Sequence, residues 1–153
     1  MIKKSHLIFC LIIALGLCLG GCHQEEEQTE AVNLVIQLDL KEDIGLLIID
    51  ASLDGVETSG GISNANKTML KRNEILNWSV EKEWYDNPAD PAELSIRFRV
   101  ITVYCDPNYE SIYPEEYTVL LEPISFTAGF GKEYHITITG DSQNGYQAVL
   151  DQS

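Results

Sequence analysis

Leu94-Ser95-Ile96-Arg97-Phe98-Arg99-Val100-Ile101 is the stretch that decides the fold. Large apolar side chains occupy every second position from Leu94 to Val100, and Ser95, Arg97 and Arg99 stand between them. Successive side chains of a strand point to opposite faces, so this period of two describes a strand with one buried face. Beyond Val100 the phase changes, and Ile101, Val103 and Cys105 take over the opposite side. A bulge or a change in burial near Val100 and Ile101 would produce that switch. The strand is fed by Asp86-Asn87-Pro88-Ala89-Asp90-Pro91, a run of turn formers.

The same alternation recurs on both sides of this strand. Val32, Leu34, Ile36, Leu38 and Leu40 share one phase, opposite Asn33, Gln37 and Asp39. Leu46 to Leu53 is continuously apolar through Ile49 and then alternates, which predicts a strand buried on both faces at its start. Thr58 to Lys67 is rich in Ser, Gly and Asn and reads as a long exposed loop; Lys67, Lys71 and Arg72 make its surroundings the one locally positive patch. Glu74 to Tyr85 fits two templates. Leu76, Trp78, Val80, Lys82 and Trp84 alternate as in a strand, whereas Ile75, Leu76, Ser79, Val80 and Glu83 suit a helix; the flanking turn signals favour the strand. Tyr117 to Leu121 and Ile124 to Thr127 form a strand interrupted at Pro123, which must lie at an edge or carry a bulge. Turns at Ala128 to Gly131 and Gly140 to Gly145 then lead into strands over Glu133 to Thr139 and Tyr146 to Leu150. The expected architecture is all-β: a single antiparallel β-sandwich of about seven strands, Ig-like or transthyretin-like, over residues 32–151.

The N-terminus has a different composition. Lys3 and Lys4 precede an apolar run from Leu7 to Leu19, followed by Gly20-Gly21-Cys22. The run is shorter than the ~20 apolar residues a membrane helix needs, and the order is that of an export signal. Leu19-Gly20-Gly21-Cys22 resembles a bacterial lipobox. The resemblance implies that residues 1–21 are a lipoprotein signal peptide and that the Cys22 thiol carries a diacylglyceryl group, with further acylation of the new amine. Membrane attachment would then be through this anchor, since two or more acyl chains hold stably. Residues 22–31 read as the lipidated cysteine and a disordered acidic tether. Glu25-Glu26-Glu27 resembles the surface-export signal of Bacteroidetes-type lipoproteins, with a plain spacer as the alternative. That resemblance implies an outer-membrane, cell-surface location. Tyr117 to Gly140, with its Ala-Gly-Phe-Gly-Lys turn, is similar to the closing strands of fimbrillin-like and transthyretin-like surface lipoproteins. Those families commonly have two sandwich domains, and this chain has room for one.

With the leader removed, 8 basic residues face 24 acidic ones, a net charge near −16. Such acidity repels nucleic acid and anionic headgroups, which excludes a nucleic-acid partner. Cys10 and Cys18 leave with the leader and Cys22 is the lipidation site, so Cys105 stands alone, at least partly buried, and the fold rests on hydrophobic burial without a disulfide.

Groups for catalysis are sparse, and the expectation is no enzyme and no cofactor. His135 is the only histidine beyond the tether, and nothing in the spacing pairs it with Cys105. Gly129-Phe130-Gly131-Lys132 lacks the upstream glycine of a phosphate loop and continues with Glu133 where Ser or Thr would bind magnesium. No zinc spacing exists. Asp86, Asp90, Asp106 and Asp141-Ser142-Gln143-Asn144 are oxygen-rich but match no calcium loop, so turn chemistry is the expectation and no metal is assigned. Paired carboxylates of a small envelope hydrolase form the alternative function, with a structural subunit of an envelope or fimbrial assembly as a third. The most suggestive feature is aromatic: Trp84 and Tyr85 precede one turn, and Tyr109 and Tyr113 lie in another loop flanked by Tyr104 and Tyr117. Rigid aromatic surface on loops suits a glycan or an envelope protein, which makes Trp84, Tyr85, Tyr109 and Tyr113 the candidate binding residues. The competing role is that Trp84, Tyr104 and Tyr117 plug the ends of the sandwich.

Overall fold

A computed structural model describes residues 30–66, 68–104 and 115–151. Cys22, Lys67, Cys105, Asp106, Tyr109 and Tyr113 lie outside these described residues. Among the described residues nine strands follow one another, where about seven were expected: β1 (Ala31–Leu40), β2 (Leu46–Leu53), β3 (Val56–Ile62), β4 (Ile75–Glu81), β5 (Ala92–Ile101), β6 (Thr118–Leu120), β7 (Ile124–Ala128), β8 (Glu133–Asp141) and β9 (Gly145–Leu150). One sheet has the order β4-β1-β8-β9; the other has β3-β2-β5-β6, with β7 also paired to β5. The all-β sandwich expected from the alternation is the observed fold class.

The core forms where the apolar phases of the two sheets meet. Leu34, Ile36 and Leu38 of β1 pack in one cluster with Leu47 and Ile49 of β2 and with Leu94, Ile96 and Phe98 of β5. Each such side chain contributes ~1.5–3 kcal/mol by leaving water. The phase switch after Val100 is a change in burial. Leu46 pairs with Ile101 and Leu47 with Val100 without interruption, and Leu46, Ile48 and Ile101 form a second buried cluster on the outer face, with Val103 packed against it. Gly45 permits this covering, because a Cβ there would lie 1.6 Å from the Val103 carbonyl oxygen.

Four expectations need correction. The segment from Thr58 onward is not all loop: β3 continues to Ile62 as an edge strand antiparallel to β2. Its Gly60 looked like a loop residue, yet it makes room for the indole of Trp78, which reaches across from β4 and would meet a Cβ at 2.0 Å. Second, one ladder is parallel: β1 and β8 pair from Asn33↔Glu133 to Leu40↔Gly140. They are joined by a long crossover through the other sheet, so no hairpin imposes opposite directions. Third, Ala31 is not tether but the first residue of β1, buried and bonded through its carbonyl to Gly131 N–H at 2.7 Å. Fourth, β5 ends at Ile101 rather than running on to Cys105.

Glu74 to Tyr85 resolves as the strand β4 followed by a 3₁₀ turn over Lys82–Trp84. The strand interrupted at Pro123 is β6 and β7, both on the edge beside β5; four positions separate Leu120 from Ile124 where β5 uses three, Ile96 to Arg99, so one extra residue bulges out. On the outer face of β2 and β5, Asp50 accepts from Arg99 at 2.8 Å through both oxygens and from Ser59 Oγ at 2.6 Å. Burial raises the Asp50 carboxyl, but Arg99 and Ser59 outweigh it and hold it below its ordinary range.

Phe98 is fully buried at the centre of β5. Phe98→Ala should cost about 3–5 kcal/mol in urea unfolding, the usual penalty for an aromatic cavity. Gly60→Ala should cost about 1–3 kcal/mol through overpacking, and less in a Trp78→Leu background, because the two positions share one space.

Candidate functional site

Strand direction gives the sandwich two distinct ends. Ala31, Glu81, Asp90 and Phe130 meet at the tether end, where Gly131 N–H bonds Ala31 and Phe130 N–H donates to Asp90 at 3.3 Å. Glu42, Asp141, Asn144, Ile101 and Thr118 lie at the far end.

The candidate aromatics divide between these ends. Trp84 is 46% exposed on the 3₁₀ turn at the tether end, and it plugs nothing. Tyr85 is the correction: it is 7% exposed and belongs to the core, and its hydroxyl pairs with Thr58 Oγ1 at 3.0 Å. The turn ends at Tyr85, whose N–H bonds the Lys82 carbonyl, and this swings the ring inward to take the plugging role expected of Trp84. Tyr109 and Tyr113 lie outside the described residues; Tyr104 and Glu115, the described residues on either side, follow β5 and precede β6 at the far end. Tyr117 is 39% exposed.

A cleft of about 370 Å³ opens at the tether end between Glu30, Glu81, Glu83, Tyr85, Asn87 and Pro88. Lys82 also lines it, forms an ion pair with Glu30, and lies 5.3 Å from the Phe130 ring centroid. The Glu30 carboxylate holds the Lys82 ammonium above its ordinary value.

A larger cleft of about 550 Å³ lies toward the far end, between β9 and the Glu122-Pro123 bulge, where the two sheets part. Asn144, Gln147, Thr139, Glu122 and Tyr146 are among the residues that line it; along β9 Tyr146 takes the core-facing phase and Gln147, paired with Thr139, the outer one. Of these positions only Asn144 stood out in the sequence, as part of the oxygen-rich Asp141 to Asn144 turn. The turn Gly140 to Gly145 was legible, but its closeness to Pro123 depends on how the sheets stack.

The rim of this cleft is set by a polar clamp. The Glu42 carboxylate accepts from the Tyr146 hydroxyl, from Ser142 N–H at 2.6 Å and from Ser142 Oγ at 3.2 Å. Asp141 accepts from Gln143 N–H at 3.0 Å, Asn144 N–H at 2.7 Å and Asn144 Nδ2 at 2.8 Å, and pairs with Lys41 at 3.0 Å. Asp141 is therefore spent on its own turn and on Lys41, as the turn reading expected. The Tyr146 hydroxyl holds Glu42 below its ordinary range, while burial and then the hydrogen bond to Glu42 push Tyr146 up. Lys41 and the turn N–H groups bring Asp141 down to about 2. Thr139, Gln147 and Glu122 make no side-chain hydrogen bond or ion pair among the described residues, so their polar atoms are available to a ligand.

His135 pairs with Glu133 at 3.0 Å on an exposed strand face, with both side chains more than half exposed. Its strand begins at the tether end, whereas Tyr104, the residue before Cys105, follows the far end of β5. Among the described residues, no three His, Cys, Asp or Glu side chains converge as a metal site would require.

The clamp should make stability acid-sensitive. Glu42 and Asp141 have folded pKa values below their ordinary 4.5 and 3.8, so their contribution is present above those values. It is lost as pH falls through the folded values, which for Asp141 means toward about 2. Chemical unfolding midpoints should be flat from neutral pH to about 5 and then decline, and Asp141→Asn should flatten the lower part of that decline.

No family model matches the chain, and no curated protein matches it. Among solved structures, an NMR structure of a protein from Eubacterium rectale is similar at a TM-score of 0.45 and 11% identity, over 84% of this chain and 95% of that one. A non-hemolytic pneumolysin from Streptococcus pneumoniae strain ST306 is similar at 0.40 and 12% identity, over 80% of this chain and 24% of the other. The membrane-binding domain of pneumolysin is similar at 0.35 and 10% identity, over 80% and 97%. Likeness at this level carries no argument about what the chain does.

Proposed function

We propose that the chain is a lipid-anchored, non-catalytic β-sandwich of the bacterial outer-membrane surface that holds a glycan at its far end. Support for the anchor is Leu19-Gly20-Gly21-Cys22 with its apolar leader. The observation that carries the binding reading is the far-end cleft, about 550 Å³ in volume and lined by Asn144, Gln147, Thr139, Glu122 and Tyr146. That volume suits a small ligand. Amides and hydroxyls both donate and accept, the carboxylate accepts only, and an aromatic ring offers a flat apolar contact, a set that matches the hydroxyls and faces of a sugar. The clamp through Glu42 and Asp141 holds Tyr146 and Asn144 in place beforehand, which lowers the ordering cost of binding.

Screening the full lipoprotein against arrayed envelope and dietary glycans should identify ligands whose affinity falls roughly tenfold in Gln147→Ala and in Glu122→Ala, a loss of about 1.4 kcal/mol each. Both positions are on the surface, so the unfolding midpoint should not move. Binding that survives both substitutions would place the site elsewhere, and capture of an envelope protein alone, weakened by the same variants, would replace the glycan by a protein.

A further inference from the structure

We propose that the tether end of the sandwich is a lipid-contact face, with Trp84 seated in the headgroup layer of the membrane that holds Cys22. The proposal rests on the lipid-anchor reading above and assigns Trp84 to the membrane rather than to a soluble partner. Cys22 stands eight positions before Glu30, a span of at most ~29 Å even when fully extended. The chain enters the sandwich at Ala31, so an anchor at Cys22 keeps this end of the molecule within that distance of the bilayer.

The groups displayed there fit a membrane–water interface. Trp84 is 46% exposed on a turn with no buried residue of its own, and Val56, 51% exposed, begins β3 at the same end. The Tyr85–Thr58 hydrogen bond ties the Trp84 turn to β3, so the two stand on a braced platform. Tryptophan prefers the headgroup layer, where its ring is half buried and its N–H stays hydrated. Lys82 and the exposed Lys132 supply the cations that phosphates attract, although Lys82 is shared with Glu30. Glu81, Glu83 and Asp86 surround the turn and oppose deep insertion or a strongly anionic surface. Contact is accordingly shallow and favours zwitterionic headgroups. Seated this way, the domain stands with its far-end cleft directed away from the membrane.

The full chain, expressed with its leader and purified as the lipoprotein, would be reconstituted into phosphatidylethanolamine-rich vesicles carrying bromine high on the acyl chains. Trp84 and Trp78 are the only tryptophans, and Trp78 packs against the core, so Trp84→Phe isolates the signal. The expected result is bromine quenching and a blue-shifted emission in the native protein, both lost in Trp84→Phe, with equal vesicle retention of the two proteins. Equal retention without quenching of Trp84 would overturn the contact and leave the anchor standing. Failure of the native protein to stay with the vesicles, with Cys22 unmodified by mass spectrometry, would overturn both.

Discussion

β1 sits inside its sheet, bonded on one side to β4 and on the other to β8, and its apolar face is closed over by β2 and β5. Every other placement follows from satisfying it. A strand with both backbone edges paired and alternate side chains fully buried has no partial form, because exposing one edge leaves N–H and C=O groups unmatched beside apolar surface. The same strand receives the incoming chain, so the link to any anchor is made at an interior strand rather than at a fraying edge. A pull on residue 30 is shared between two ladders, one antiparallel and one parallel.

The two ends of the sandwich then differ chemically. The tether end carries an exposed tryptophan, a lysine shared between a glutamate and a phenylalanine ring, and a tyrosine drawn into the core. The far end is polar and fixed: Glu42 joins the β1–β2 connection to the β8–β9 turn, Asp141 closes that turn, and Asp43 pairs with Lys71 at 2.9 Å. Exposed pairs such as the last contribute little, ~0.2–1 kcal/mol. The buried share of the far-end network matters more, since it orients the residues lining the larger cleft.

Much of the fold was legible from one chemical pattern. Alternation in Val32 to Leu40 and Leu94 to Val100 depends only on which side chains avoid water, and it located β1 and β5 without knowledge of their neighbours. Patterns that depend on a partner misled. Gly60 reads as loop until the Trp78 indole is seen above it. Glu74 to Tyr85 fitted two templates, and the pairing of β1 with β4 bears out the strand that its flanking turns favoured. Trp84 and Tyr85 are adjacent aromatics with no local feature to separate them; a single 3₁₀ turn sends one to solvent and the other inward.

The sequence by itself determined most of the strands, though not β3, the turns that punctuate them, the acidic charge and the candidate anchor at Cys22, because each is a property of neighbouring residues. Only the tertiary structure decided that β3, β4 and β9 became edges, that β1 and β8 run parallel, and that Glu122 and Gln147 line one cleft. Those outcomes come from contacts between segments far apart in the chain, whose geometry is set by how two twisted sheets stack and not by any local pattern.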